Sequence, residues 1–495
     1  MIRRPKKKAW LAATGAALVG LTLLTGCATN PATGESDLTP FMSPDEEERV
    51  GAEEHPKMVA QFGGVYDDPE IGAYVASIGG RLAAHSERAD LAFRFTVLNS
   101  PVVNAFALPG GYVYISRGLL ALANSEAELA SVLGHEIGHV TARHSAQRYN
   151  RSVFLGLGTA LFGAVVGNDA ASQLANIGGA IYLRSYSRDQ EHQADDLGIR
   201  YAAATGYDAA ASVDFLNTLS ADDGLRRKIA GAKGEDPGAS MFSTHPRTTE
   251  RVARTAAATQ KLGNAPRLRS RYLEKIDGLV YGGDPSQGLV RGRTFFHPDI
   301  GFTFKVPEGF QLNNTANAVF AADNAGAKMK FDSEPKQWGG SITNYVRLKW
   351  GKGLRLQGLN RIDIDGMPAA AASARVNSKN GAIDLRLVAV RFDARTIFRF
   401  LFITPPGRTN ELDPAFRKTA FGFRALAPDE REAIKPLRIR FLQVEAGDTV
   451  ASLAAQMQNT RNLSSQIAEE KFRVLNGLTS GGTLKPGQLV KITTE

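Results

Sequence analysis

At 495 residues the chain has room for about three domains, and its 43% apolar and 22% charged composition is that of an ordinary globular protein. Five of its 59 basic residues, Arg3, Arg4, Lys6, Lys7 and Lys8, stand ahead of residue 9, and the remaining 54 nearly balance 50 acidic residues, which excludes the basic surplus of a nucleic-acid binder. A single cysteine, Cys27, excludes disulfides within the chain and a thiolate-held metal.

The five leading cations precede an apolar run over residues 9–24, the pattern of a secretory signal and too short for a convincing membrane span. The run ends in Leu24-Thr25-Gly26-Cys27, which resembles a bacterial lipobox. That resemblance implies a signal peptide over 1–26 and lipidation at Cys27. Ala28, standing where an Asp would retain the protein, resembles the outer-membrane sorting pattern. Arg3-Arg4 lacks the rest of a twin-arginine signal, so Sec export is expected. The expected address is the periplasmic face of the envelope, lipid-anchored, in the outer membrane.

Residues 27–44 are rich in Thr, Pro, Gly, Asn and Ser and read as a tether. Ser43-Pro44-Asp45-Glu46 predicts a helix start, with Pro at the first position and acids in the first turn. A second helix is predicted from Asp68-Pro69, with Ile71, Val75, Ile78 and Leu82 on one face. His55 and His85 sit among polar neighbours and read as solvated. Residues 93–98 read as a strand. In residues 104–116 Pro109-Gly110-Gly111 separates two extended pieces, either an ordinary hairpin or a sheet edge that could accept an extended peptide.

Ser125-Glu126-Ala127-Glu128 predicts a capping box, and Leu129, Val132, Leu133, Ile137 and Val140 follow at helical spacing. Within that helix lies His135-Glu136-Ile137-Gly138-His139. Four residues are about 400° of rotation, so His135 and His139 project from one face and both imidazoles can reach one metal ion. Glu136 beside them could act as a general base. The alternative is a surface helix with two solvated histidines. His144, nine residues past His135, falls about half a turn out of phase and is not expected as a ligand. Residues 152–167 are apolar and glycine-rich and read as a buried helical hairpin, a mobile lid or a membrane-touching flap. Ser187 with Gln190 can cap a further helix, placing Glu191 and, one turn later, Asp195 on one face. Glu191 is the candidate third ligand and Asp195 a partner for a ligand histidine's free N–H; His192 points about 100° away from Glu191.

Asn104-Ala105-Phe106 with Pro109-Gly110-Gly111, then His135-Glu136-Ile137-Gly138-His139, then Ser187-Arg188-x-x-Glu191-x-x-x-Asp195 together resemble the M48 family of zinc metallopeptidases, over residues 45–262. The resemblance implies a mainly α-helical zincin-type domain with a small β ribbon. It further implies one zinc ion held by His135, His139 and Glu191, Glu136 as general base, and Asp195 behind the ligands. Asn104, Ala105, Phe106 and Ala107 become the edge on which substrate backbone lies. Ser243-Thr244-His245-Pro246-Arg247-Thr248-Thr249-Glu250-Arg251 also matches the family. It implies that His245 lies near the metal and can occupy its open position, the alternative being a helix-capping histidine. Arg251, which ends that segment, is expected to contact substrate. Residues 221–240 read as a flexible loop beside the cleft.

Residues 263–287 read as a linker. From 288 to 426 the texture changes to short alternating runs with helical stretches near 341–350 and 414–421, an α+β domain without a catalytic constellation. Its Phe296-His297-Pro298 opening faintly resembles PsbP/Mog1-like sandwiches. Residues 437–495 have a βααβ order with Gly447-Asp448-Thr449 and Pro486-Gly487-Gln488 turns, and resemble a LysM module with an insertion around 458–465. That resemblance implies binding of N-acetylglucosamine-containing glycan, hence peptidoglycan; a degenerate module making only protein contacts is the alternative. The expected function is a zinc-dependent endopeptidase of the envelope acting on periplasmic polypeptides in protein quality control. A latent chaperone-like lipoprotein and a peptidoglycan-binding scaffold remain the other readings.

Overall fold

The computed structural model describes residues 27–39, 42–152, 185–230, 241–246, 249–334, 337–378, 381–460, 463–478 and 482–495. The expected signal peptide and, beyond Ser152, the apolar stretch to residue 167 lie outside the described residues. Strands β1 (Cys27–Thr29) and β2 (Ser36–Leu38) pair antiparallel. The hairpin is fixed to the body of the protein, since Asn30 Nδ2 donates to the Ala142 carbonyl at 3.2 Å and Gln147 Nε2 to Asp37 Oδ2 at 2.6 Å. A stretch that reads as a tether is therefore in part a turn: the same Thr, Pro and Gly composition serves both.

Ser43 Oγ accepts from the Glu46 amide at 3.2 Å and opens α1 (Pro44–Gln61). Asp68 Oδ1 does the same for the Ile71 amide at 3.0 Å and opens α2 (Pro69–Ala83), which buries Ile71, Val75, Ile78 and Leu82. Strands β3 (Arg94–Leu98), β4 (Ala105–Leu108) and β5 (Tyr112–Ser116) form a sheet in the order β3-β5-β4, with β3 parallel and β4 antiparallel to β5. Gly110 and Gly111, at φ 76° and 85°, turn the chain where a side chain would strain it. The two readings of residues 104–116 thus coexist, for the ribbon is a hairpin and its first strand is a sheet edge.

After α3 (Arg117–Leu122), Ser125 Oγ accepts from the Glu128 amide at 3.2 Å and starts α4 (Glu126–Thr141). The expected reciprocal bond is displaced by one residue, because Glu128 Oε2 accepts from the Asn124 amide at 2.8 Å. In α5 (Arg188–Ala204) the Ser187–Gln190 capping box closes in both directions. Helices α4 and α5 touch at glycines. A Cβ on Gly134 would lie 3.1 Å from the Gly198 carbonyl oxygen, and one on Gly138 3.1 Å from Leu197 Cβ and from the Ala194 carbonyl oxygen. This close approach sets the Glu191–Asp195 face against the histidines.

Residues 221–230, expected as loop, complete helix α6 (Ala211–Ala230), and 231–240 lie outside the described residues. Short α7 (Met241–Thr244) and α8 (Thr249–Thr259) follow. The expected linker contains α9 (Arg269–Lys275) and β6 (Val280–Tyr281), and its Tyr272, Leu273, Ile276 and Leu279 are buried in one core with helices α2 to α6 and the C-terminal module.

The middle region is a seven-stranded antiparallel sheet, in the order β10-β11-β12-β16-β15-β14-β13, facing a four-stranded sheet β17-β9-β8-β7. These strands run from β7 (Leu289–Arg291), β8 (Thr294–His297), β9 (Phe302–Lys305) and β10 (Gln311–Asn314) through β11 (Val319–Ala322), β12 (Lys328–Ser333), β13 (Gln357–Ile364), β14 (Met367–Ser378), β15 (Gly381–Arg391) and β16 (Ile397–Thr404) to β17 (Arg424–Ala425). Phenylalanines fill the space between them, with Phe302 and Phe304 of one sheet against Phe331, Phe398 and Phe400 of the other. Helix α10 (Thr409–Phe421) covers one end through Phe416, which stacks on Phe402 at 4.5 Å.

The C-terminal module is β18 (Leu437–Gln443), α11 (Val450–Gln456), α12 (Ser465–Leu475) and β19 (Leu489–Thr494). Its sheet, β19-β18-β6, borrows a strand from the preceding segment. The βααβ order is the expected one. Lys491, fully buried, donates from Nζ to the carbonyls of Ala121, Leu122 and Ala123 at 2.7, 3.2 and 2.7 Å, so the module closes the carboxyl end of α3. No helix among the described residues is long and apolar enough to cross a membrane.

Candidate metal centre

The helix α4 presents His135 and His139 one turn apart, with Nε2 atoms 3.0 Å from each other. Across the glycine contact, α5 brings Glu191 to 3.6 Å from His135 Nε2 and 3.4 Å from His139 Nε2. His245, just beyond α7, enters from the third side: its Nδ1 lies 3.2 Å from His135 Nε2 and 2.9 Å from Glu191 Oε1. One ligand atom from each of His135, His139, Glu191 and His245 lies within 4.8 Å of all the others, and all four residues are buried.

These residues fit a metal ion. Asp195 Oδ1 lies 2.9 Å from His135 Nδ1 and takes its hydrogen, which leaves the Nε2 lone pair facing the cluster. Two bare imidazole nitrogens 3.0 Å apart repel each other unless a cation lies between them. Glu136 is 0% exposed, and neither of its carboxylate oxygens has a hydrogen-bond partner among the described residues; His245 Nε2 is in the same state, 3.4 Å from Glu136 Oε1. Carboxylates and imidazoles without thiolates are a donor set suited to zinc.

Burial raises the Glu136 pKa above the usual carboxylate value. Burial also pushes Glu191 up, but His245, His139 and Arg251 outweigh it and hold the group well below the carboxylate range. Burial works against a charge on His245, yet Glu191 and Glu136 prevail and its pKa is raised. His139 is held well below 6.5, chiefly by burial.

Arg251, expected at the substrate, turns instead to the back of the cluster. Its Nε and Nη2 donate to the two Asp195 oxygens at 2.6 and 2.7 Å, and Nη1 lies 2.5 Å from Glu191 Oε2. Asn104 and the β4 residues Ala105, Phe106 and Ala107 are all buried, with β4 on the outer side of its sheet and packed against α4.

Two neighbours, Tyr186 and Arg148, lie outside the sequence reading, and a third, His144, enters it only as a residue not expected to be a ligand. Tyr186 stacks on His139 with centroids 3.8 Å apart, and the Arg148 guanidinium lies 3.9 Å above the Tyr186 ring. His144 touches His139, Nδ1 to Nδ1 at 2.7 Å. The phase argument against His144 assumed an unbroken helix, whereas α4 ends at Thr141 and Arg143, at φ 57°, reverses the chain. His144 stays outside the converging donors, as expected, but points at one of them. Burial holds its pKa at about 4, so the ring is neutral. His55, expected in solvent, is half-buried with Nδ1 2.8 Å from the Tyr114 hydroxyl, whereas His85 is exposed.

Residues 69–259 match the profile of Peptidase family M48, and 442–493 match that of the LysM domain. The chain thus contains an M48-family peptidase domain and, at its C-terminal end, a LysM domain. It is 32% identical over 251 residues to a putative beta-barrel assembly-enhancing protease of Vibrio cholerae, covering 47% of this chain and 50% of that one. To the beta-barrel assembly-enhancing protease of Escherichia coli it is 34% identical over 164 residues, 31% and 33% of the two chains. To mitochondrial metalloendopeptidase OMA1 of Arabidopsis thaliana it is 33% identical over 177 residues, 36% and 33% of the two. The match thus spans half or less of each of these relatives. The solution structure of the cyanobacterial PsbP of Synechocystis covers 28% of this chain and 98% of its own at 13% identity and a TM-score of 0.22, a level that carries no argument. The M48 match covers the helices and the sheet that build the donor cluster, and the LysM match covers nearly all of the βααβ module.

Proposed function

We propose that this protein is a zinc-dependent endopeptidase of the bacterial cell envelope that cleaves unfolded or stalled polypeptides. The observation that carries the reading is the convergence of His135, His139, Glu191 and His245 beside a buried Glu136 whose oxygens have no described partner. In this reading His135, His139 and Glu191 hold one zinc ion, which when bound would polarise the peptide carbonyl and acidify water. Glu136 takes the proton of the attacking water and returns it to the leaving amine, a transfer its raised pKa suits. Asp195 orients His135, and Arg251 holds Asp195 and Glu191 in place. The outer edge of β4, from Asn104 to Ala107, takes the substrate backbone as an added strand. A lipid on Cys27 anchors the protein at the periplasmic face of the outer membrane, and the LysM domain contacts peptidoglycan.

One observation favours a latent resting state. His245 stands among the donors, bonded to Glu191, where a fourth ligand would stand. Metal analysis combined with cleavage of unfolded casein tests both readings. We expect one zinc per chain, slow cleavage by the wild type, faster cleavage by His245→Ala and none by Glu136→Gln. A wild type that takes up no zinc sinks the enzyme reading. A His245→Ala protein that loses its zinc makes His245 a required ligand and ends the latch.

A further inference from the structure

The two histidines of α4 are supported in different ways. Asp195 takes the outer N–H of His135, but among the described residues no carboxylate reaches the outer nitrogen of His139. That atom, Nδ1, lies 2.7 Å from His144 Nδ1, and His144 Nε2 in turn lies 2.7 Å from Oε1 of Gln193, on α5.

The chemistry of this chain runs in one direction. A carbonyl oxygen can only accept, so His144 carries its hydrogen on Nε2 and its Nδ1 is bare. A bare Nδ1 makes His139 Nδ1 the donor. His139 Nε2 is then the bare nitrogen, and it is the one that faces His135 and Glu191. With the Gln193 amide reversed, every step reverses, and a hydrogen on His139 Nε2 would point into the donor cluster. Only one sense of the relay is compatible with a metal.

We propose that Gln193 and His144 form a neutral relay that fixes the tautomer of His139 and so its capacity to bind the metal. His144 and Gln193 are positioning residues, and the proposal rests on the zinc reading given above. The relay's neutrality has a physical reason. Buried Glu136 and Glu191 and the partly buried Asp195 already bring three carboxylates to the site against Arg251, and a fourth in direct contact with His139 would add repulsion where burial leaves it poorly screened, whereas at half-buried Gln193, one imidazole further out, a carboxylate adds little. An imidazole and an amide supply the same directionality without charge. Three features hold the relay: Arg143 in the left-handed region turns His144 back, His144 is fully buried, and Gln193 sits on the helix that carries Glu191 and Asp195.

The test is zinc affinity of the metal-free full chain, read by competition with a chromophoric chelator. Gln193→Leu removes the acceptor and frees His144 to adopt either tautomer, whereas Gln193→Glu keeps an acceptor at the same place. Affinity should fall about 10–100-fold in Gln193→Leu and in His144→Ala and stay within about threefold of wild type in Gln193→Glu. Nitrogen-15 spectra of the zinc-loaded protein should show His139 protonated on Nδ1 in the wild type and in Gln193→Glu. Wild-type affinity in Gln193→Leu overturns the relay, and so does an equal loss in the Leu and Glu variants, which marks a merely structural role. A wild type that binds no zinc overturns the metal reading instead. Should His144→Ala fail to fold, the two Gln193 variants decide alone.

Discussion

The two ends of α4 each bury ionisable groups, and they hold them differently. At the first turn Glu128 accepts from the Asn124 amide, and nearby Lys491 has all three ammonium hydrogens on backbone carbonyls. Two turns further on, Glu136 is equally buried and neither of its oxygens has a partner among the described residues. A buried polar group with its bonds made costs little and fixes a joint; one without them costs stability and calls for a functional explanation. One helix therefore carries a structural cluster at its start and a reactive one near its end.

The sharpest way to break the comparison is at its satisfied end. Lys491→Met keeps the length of the side chain and removes the charge, taking its donor from the Ala121 and Ala123 carbonyls at the end of α3 and leaving the Leu122 carbonyl only the Asn124 side-chain amide. We expect a loss of about 3–5 kcal/mol in urea unfolding, the range for breaking a buried charged contact. Because the LysM domain, α9 and helices α2 to α6 share one core, the loss should appear as one shifted transition followed by both parts of the molecule. An independent early unfolding of the LysM domain with an unmoved peptidase transition would show that the joint is not structural.

The same cluster gives a pH signature. Burial raises Glu128 to about 7 from an ordinary value of 4.5. The folded state keeps a proton that the unfolded chain releases, so this contribution to stability is complete below about 4.5 and is lost as pH rises through about 7. Stability of the wild type measured against Glu128→Gln should fall over that window by about 3 kcal/mol. A difference that stays flat between those pH values would show Glu128 ionised in the fold throughout, paired with Lys491.

How far such features could be read in advance depends on whether one helix carries them. His135, Glu136 and His139 share a helix, and so do Glu191 and Asp195, so spacing converts directly into geometry once the Ser125 and Ser187 caps fix where the helices start. Reading fails where the chain leaves regular structure, as at Arg143, whose left-handed turn returns His144 to His139 against the phase of an ideal helix. It also fails where a second unit covers a face that alternation would leave exposed. Val490-Lys491-Ile492 reads as a strand with its lysine outward, yet β19 is buried on both sides because the peptidase helices lie over it. The β1–β2 hairpin was hidden for a compositional reason, since turn residues and tether residues are the same. The twenty-five residues of the expected linker concealed a core helix because seven residues of α9 are too few to display a period.

The smallest expected change in stability lies at the reactive end, and its sign matters more than its size. Glu136→Gln replaces a buried carboxylate with a neutral amide of the same shape. At pH 7 the wild type must either hold an unpaired charge in the metal-free site or take up a proton to remove it, and burial raises its pKa in favour of the second course. The amide avoids both costs, so the metal-free variant should be more stable than the wild type by about 1 kcal/mol in urea unfolding, while casein cleavage falls by about 100-fold or more. The gain should be absent at pH 4, where the wild-type carboxyl is already protonated. Lys491→Met and Glu136→Gln then move stability in opposite directions from the two ends of one helix. A Glu136→Gln protein less stable than wild type at pH 7 would mean that Glu136 has a structural partner after all, and the contrast between the two clusters would not stand.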